Sequence, residues 1–146
     1  MGKPQNQLLE VDPERALFEG KVQALAVAFY QNERPPLGLS GVLDWYFQGA
    51  ISRYIRSGAI SGHIGECTYF PCNRNGATFH IILAGAGIAS APGRRDQLPD
   101  VTLSTLQKNL ASLRLEKVGI SKADFGNITP EYLAQHMKGV PLWIAH

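Results

Sequence analysis

A phosphate group is held by backbone N–H groups that can approach it closely and by a guanidinium that matches its charge. The stretch LAGAGIASAPGRR, Leu83 to Arg95, offers both in one loop: Gly85, Gly87 and Gly93 for close approach, Ser90 as a hydroxyl, and Arg94 with Arg95 as charged donors. A second loop, GLSG, places Gly38, Ser40 and Gly41 at the start of a helical pattern. Each loop follows an apolar run that reads as a strand, and ligands of open α/β sheets collect beyond the carboxyl ends of strands. The candidate ligand-binding set is therefore Gly38, Ser40, Gly41, Gly85, Gly87, Ser90, Gly93 and Arg94. The plain alternative is a strand turning a corner on its glycines, with Arg94, Arg95 and Asp96 as a solvated loop. A dinucleotide fingerprint is excluded, because Ser90 stands where its third glycine belongs and Pro92 and Pro99 hold the next helix off until about Val101. There is no GxxxxGK[ST] loop either.

Other chemistry is poorly represented. Ser40, Ser57 and Ser61 lie outside any G-x-S-x-G elbow. Asp44, Glu66, Asp96 and Asp100 show no spacing that marks a catalytic pair. His63 in SGHIGE reads as a loop histidine, and His80 as a core or edge histidine in a strand. Cys67 and Cys72, with four residues between them, are wrongly spaced for CxxC redox chemistry and too few for a disulfide framework. They read as free thiols, and no metal, cofactor or catalytic set is expected. Trp45 and Tyr46 are suited to a surface or an interface, whereas Phe47 falls on the core face of its helix.

The elements that must position these loops can be read from periodicity. The first 20 residues read as a polar lead-in with an extended piece, QLLEV, that can pair on a sheet edge. VQALAVAFY is a nearly continuous apolar run suited to a strand buried on both faces. From Leu39 to Gly58 the apolar positions Leu43, Phe47, Ala50, Ile51, Tyr54 and Ile55 predict one helix of roughly four turns, capped by Ser40. ECTYFPC and TFHIILAGA, joined at Asn75-Gly76, predict a hairpin. VTLSTLQKNLASLRLEK predicts a helix, VGIS a strand, TPEYLAQHMKG a helix capped by Thr129, and PLWIA a last strand. Alternating strands and helices imply an α/β fold, a three-layer α/β/α sandwich around a mixed sheet. The 146 residues make one domain, with 45% hydrophobic and 18% charged residues and a net charge of +2. That charge gives no general attraction to nucleic acid. No run is long enough to span a bilayer, and the start lacks a secretory or transit signal, so the expected location is cytoplasmic.

The order of features carries a resemblance. ALAVAFYQNERPPLGLSGVLDWYFQGAISRYIRSG, then IILAGAG, then a leucine-rich helix and VGIS, resembles the N-terminal domain of the leucine aminopeptidase (cytosol aminopeptidase) family. In that family a buried strand runs into a Pro/Gly loop and a helix around a Leu-Asp pair, here Leu43-Asp44, and a later strand ends in Gly-x-Gly, here Gly85-Ala86-Gly87. The resemblance implies a macro-domain-like three-layer fold. It also implies that the two metal ions and catalytic residues belong to a separate domain, whose ligands have no matching positions here. More distantly, GLSGVLDWYFQGAI is similar to the glycine loop and helix of macro domains, and GAGIASAPG to their phosphate-embracing loop. The usual asparagine-rich strand end is reduced to Asn32. Macro domains bind ADP-ribose and related nucleotides there.

The leading expectation is thus a stand-alone, non-catalytic macro-like domain that binds a nucleotide, another phosphate-bearing ligand or a protein partner. The second is a homo-oligomeric assembly module anchored by Trp45, Tyr46, Tyr54 or Trp143. The third is a DNA-binding accessory protein using Arg53, Arg56, Arg74, Arg94, Arg95 and Lys108, though no helix carries the dense basic face of a groove reader. Hydrolysis of ADP-ribose conjugates ranks last, since no residue set supplies its acid or activated water.

Overall fold

The computed structural model describes residues 6–146. Among these residues six strands form one sheet. The central strand β2 (Ala24–Tyr30) is buried at every residue and lies parallel to β5 (Val118–Ser121) on one side and β4 (Ala77–Gly87) on the other. Beyond β5 runs β6 (Leu142–Ala145), and the short β1 (Gln7–Leu8) closes that edge, both parallel. At the opposite edge β3 (Cys67–Arg74) pairs antiparallel with β4 through the expected hairpin. Its turn residues, Asn75 and Gly76, both adopt positive φ, +52° and +78°, matching the right-handed twist of the flanking strands.

Alternation along β2 assigns its two faces. Leu25, Val27 and Phe29 join a core with α1 (Pro13–Phe18), α2 (Gly38–Tyr46) and α3 (Ala50–Arg56). Ala24, Ala26, Ala28 and Tyr30 face α4 (Asp100–Leu113) and α5 (Pro130–His136), where small alanines leave room for Leu103, Leu106, Leu110 and Phe125. The result is the three-layer α/β/α sandwich around a mixed sheet. Thr129 caps α5 as expected, accepting the Tyr132 N–H.

Three expectations are corrected. Residues 13–18 are helical rather than a polar lead-in: Pro13 starts the helix and, with Ala16 and Leu17, provides its buried stripe, too short a pattern to register as periodic. The single helix expected from Leu39 to Gly58 is two. Gln48 and Gly49 take positive φ, +56° and +81°, and break the helix after Tyr46 without disturbing the burial of Leu43, Phe47, Ile51 and Ile55. Ser40 is no cap either. The N-cap of α2 is Leu37, and the buried Ser40 hydroxyl donates back to the Leu37 carbonyl at 3.0 Å.

Candidate functional site

Parallel strands deliver their carboxyl ends to one edge of the sheet, and among the loops that emerge there are residues 31–37 after β2, 88–99 after β4 and 122–129 after β5. The chain leaves β2 for the face carrying α2, but leaves β4 and β5 for the opposite face. Neighbouring loops thus diverge at the end of β2, and the crevice defined between them is the position where such sheets place ligands, closed here by buried side chains. Asn32 ties two of the loops together: its amide nitrogen donates to the Ala89 carbonyl at 2.9 Å and its oxygen accepts the Ala89 N–H at 2.8 Å.

An ionic cluster fills the crevice. Arg95 reaches in from the second loop with only 9% of its side chain exposed, and meets Glu33 from the first (3% exposed) and Asp124 from the third (4%). Arg95 Nη1 donates to Glu33 Oε2 at 2.8 Å, and Nη2 lies 2.8 Å from Oε1. The Gly93 N–H donates to the same Oε2 at 3.0 Å. The guanidinium also stacks over the Tyr30 ring, 4.6 Å from its centroid. Asp124 accepts the Ala28 N–H at 2.7 Å and stands 3.7 Å from Arg95 Nε. Arg95 Nε and Nη2 are buried without a hydrogen bond of good geometry, so the guanidinium keeps unused donor capacity.

The electrostatics follow from this packing. Burial pushes the Asp124 carboxyl up to about 6, and the nearby Glu33 charge adds to the rise. The Ala28 and Leu39 N–H groups and the Arg95 charge oppose it. Arg95 stays charged: burial works against its proton, yet its bonds to Glu33 and the charge of Asp124 raise its pKa overall. Two carboxylates share one guanidinium, an arrangement tolerable only because each also finds N–H donors.

The eight candidate residues divide by place. Gly93 belongs to the cluster through its N–H, and Gly38 lies against it: with φ +64°, a Cβ there would stand 2.6 Å from Arg95 Nη2. Gly41 packs on the Pro36 carbonyl, where a Cβ would come within 2.5 Å, and Ser40 is buried. Gly85 and Gly87 meet the segment between α3 and β3. A Cβ on Gly85 would fall 1.9 Å from the His63 carbonyl oxygen, and the Gly87 N–H donates to the Gly62 carbonyl at 2.9 Å. Ser90 and Arg94 are exposed and both turn to Asp96, at 3.3 Å each. The structure thus gathers Gly38 and Gly93 with Arg95, Glu33, Asp124 and Tyr30.

Of these, the sequence pattern singled out neither Glu33, Asp124 nor Tyr30, and it preferred Arg94 to its neighbour. The only available signal was an acid just beyond each of two predicted strands. Burial of Arg95 also withdraws it from any surface basic stripe, and Arg74 is engaged over the rings of Phe18 and Tyr46 at 4.8 and 5.3 Å. Cys67 and Cys72 are free thiols, raised by burial to about 12 and about 11, which makes them unreactive near neutral pH. Among the described residues no three His, Cys, Asp or Glu side chains gather as metal ligands, and no helix is long and apolar enough to cross a membrane.

No family model matches the sequence, and no curated protein matches it. Solved structures do. The macrodomain of Mycobacterium tuberculosis DarG superposes with a TM-score of 0.67 at 14% identity, covering 97% of both chains. DarTG of Thermosipho africanus in complex with ADP-ribose gives 0.63 at 12% identity, over 97% of this chain and 41% of that one. A tomato leucine aminopeptidase mutant gives 0.63 at 14% identity, over all of this chain and 33% of the enzyme. At these identities the likeness establishes the fold, which is that of macrodomains. The aminopeptidase resemblance holds for the matching third of that enzyme, and the end-to-end correspondence is with the macrodomain.

Proposed function

We propose that this domain binds a phosphate-bearing, ADP-ribose-type nucleotide in the crevice at the end of β2. The observation that carries the reading is the grip of the β4–α4 loop on an anion: the Gly93 N–H and the Arg95 guanidinium both hold a carboxylate. That grip sits at the carboxyl ends of parallel strands, where divergent loops place ligands. The fold shared with a DarTG structure in complex with ADP-ribose supports the same ligand class. Exposed Gly38 and Gly93 flank the ionic cluster of the buried guanidinium and let a ligand come close to the backbone. The two carboxylates of the crevice, Glu33 and Asp124, are both engaged with Arg95, so the reading is of a binding module.

Titration with ADP-ribose, ADP and inorganic pyrophosphate, followed by calorimetry and by the backbone amide resonances, tests this. The expected result is saturable binding with the largest shifts at Gly38, Gly93 and Arg95. Silence across the panel at millimolar concentration overturns the reading.

A further inference from the structure

We infer that Glu33 is an internal stand-in for the ligand's phosphate, and that an incoming diphosphate binds by displacing its carboxylate from Arg95 and Gly93. The inference rests on the binding reading above and specifies how that same site is occupied.

The argument begins with what a carboxylate is doing there. Glu33 is buried to 3% exposure in a loop that has solvent available on its other side, since Asn32, Arg34 and Pro35 are all exposed. Burying a carboxylate costs free energy unless it is paired and hydrogen-bonded, and its partners here are the groups that serve anion recognition: a forked guanidinium and a glycine N–H. Gly93 adopts φ +76°, with open space where a Cβ would stand, so the loop is shaped to turn its N–H inward.

The site also has more capacity than Glu33 uses. Arg95 Nε and Nη2 are buried without hydrogen bonds, although Nη2 is within ion-pair distance of Oε1. A planar carboxylate offers two oxygens; a diphosphate offers more, in a tetrahedral array that can meet several donors at once. When Glu33 leaves, the guanidinium remains aimed, because Tyr30 stacks under it and Asp124 stays on its Nε side. Asp124 is itself fixed by the Ala28 N–H, on the central strand. Among the described residues Glu33 has no such anchor: its side chain meets Arg95 and the Gly93 N–H. One carboxylate is built into the sheet and the other is held only by the groups it would cede.

The chemistry this selects is a ligand whose anionic group outcompetes a carboxylate on a guanidinium. A diphosphate does so through its greater charge and oxygen count, whereas a carboxylic acid or a neutral nucleoside has no advantage over the occupant. Discrimination between diphosphates and other ligands then comes from Glu33 itself, by competition.

The test compares the unaltered chain with Glu33→Gln, using inorganic pyrophosphate and ADP-ribose as probes in calorimetry and thermal denaturation. Glu33→Gln keeps the volume and removes the competing charge. It should bind both probes at least about tenfold more tightly, as when a competent state populated about one part in ten becomes the rule. It should also melt lower without ligand, because Arg95 loses a partner, and show the larger ligand-induced rise. Glu33→Asp, with its carboxylate drawn back by one methylene, should shift affinity in the same direction by less, and it carries the comparison should Glu33→Gln unfold. Unchanged affinity, or weaker binding by both variants, overturns the competition while leaving the crevice a binding site. Binding by a variant where the unaltered chain is silent upholds the competition and overturns the binding reading for the unaltered chain. Silence in every protein overturns both.

Discussion

At the scale of single residues, Asp124 shows how much the crevice depends on position rather than residue type. The same carboxyl in an unfolded chain titrates near its ordinary value of 3.8; folded, it is pushed up to about 6 by burial. Between those values the folded chain holds the proton more tightly than the unfolded chain does. This group therefore adds stability at low pH that falls away as pH rises through the window, and its penalty is complete above the folded value. Asp124→Asn, which cannot ionise, should flatten that dependence, and urea midpoints measured from about pH 4 to about pH 7 would show it. A steeper dependence in the variant would contradict the assignment. Gly85 marks a different constraint. With the His63 carbonyl oxygen 1.9 Å from where a Cβ would stand, the strand and the 61–66 segment meet backbone to backbone. Gly85→Ala should cost at least about 2 kcal/mol by forcing them apart, read from chemical denaturation.

At the scale of elements, the break between α2 and α3 gives Asp44 a role that a continuous helix would not. It sits near the end of α2, yet its carboxylate accepts the Ser52 N–H at 2.9 Å and pairs with the Ser52 hydroxyl, so it serves the N-terminus of α3. Asp44→Ala should lower stability by about 1 kcal/mol, the usual worth of a capping carboxylate, without altering affinity for ADP-ribose. A loss of binding in this variant would mean that α3 communicates with the crevice. The hairpin has a comparable local logic: the Asn75-Gly76 turn fixes the register that sets Phe70 and Cys72 inward on β3. Pro71 lies on the outermost strand, where a missing N–H donor discourages pairing with another chain.

At the scale of the whole molecule, one sheet separates two cores, and β2 belongs to both. Phe29 fills one side and Phe125 the other, each almost wholly buried. Because both cores share the central strand, the domain should unfold in one transition. Phe29→Ala and Phe125→Ala should each cost about 3–5 kcal/mol without separating the signals of the half-buried Trp143 and the exposed Trp45 from far-ultraviolet dichroism. Two resolved transitions would show instead that the layers fold independently. The crevice is a product of this same arrangement, because it exists only where loops diverge to opposite layers.

The pattern of residues alone determined most of the elements and the layered α/β class. A strand that is apolar throughout must be covered on both faces, an Asn-Gly pair must turn, and leucines at helical spacing must face a sheet. Periodicity also carried the reading across the α2–α3 break, since both helices present their apolar side to one core and only backbone geometry at Gln48 and Gly49 separates them. The glycine loop was legible as a place where backbone comes close, but not what it comes close to. Gly85 and Gly87 meet backbone, whereas Gly93 meets a carboxylate sixty residues away in the chain. Glu33, Arg95 and Asp124 have no spacing that relates them along the chain. Only the strand order, which sets β5 and β4 on either side of β2, brings their loops to one point. Local sequence fixes what each segment does with its own neighbours; the meeting of charges across three loops is decided by how the sheet is wound.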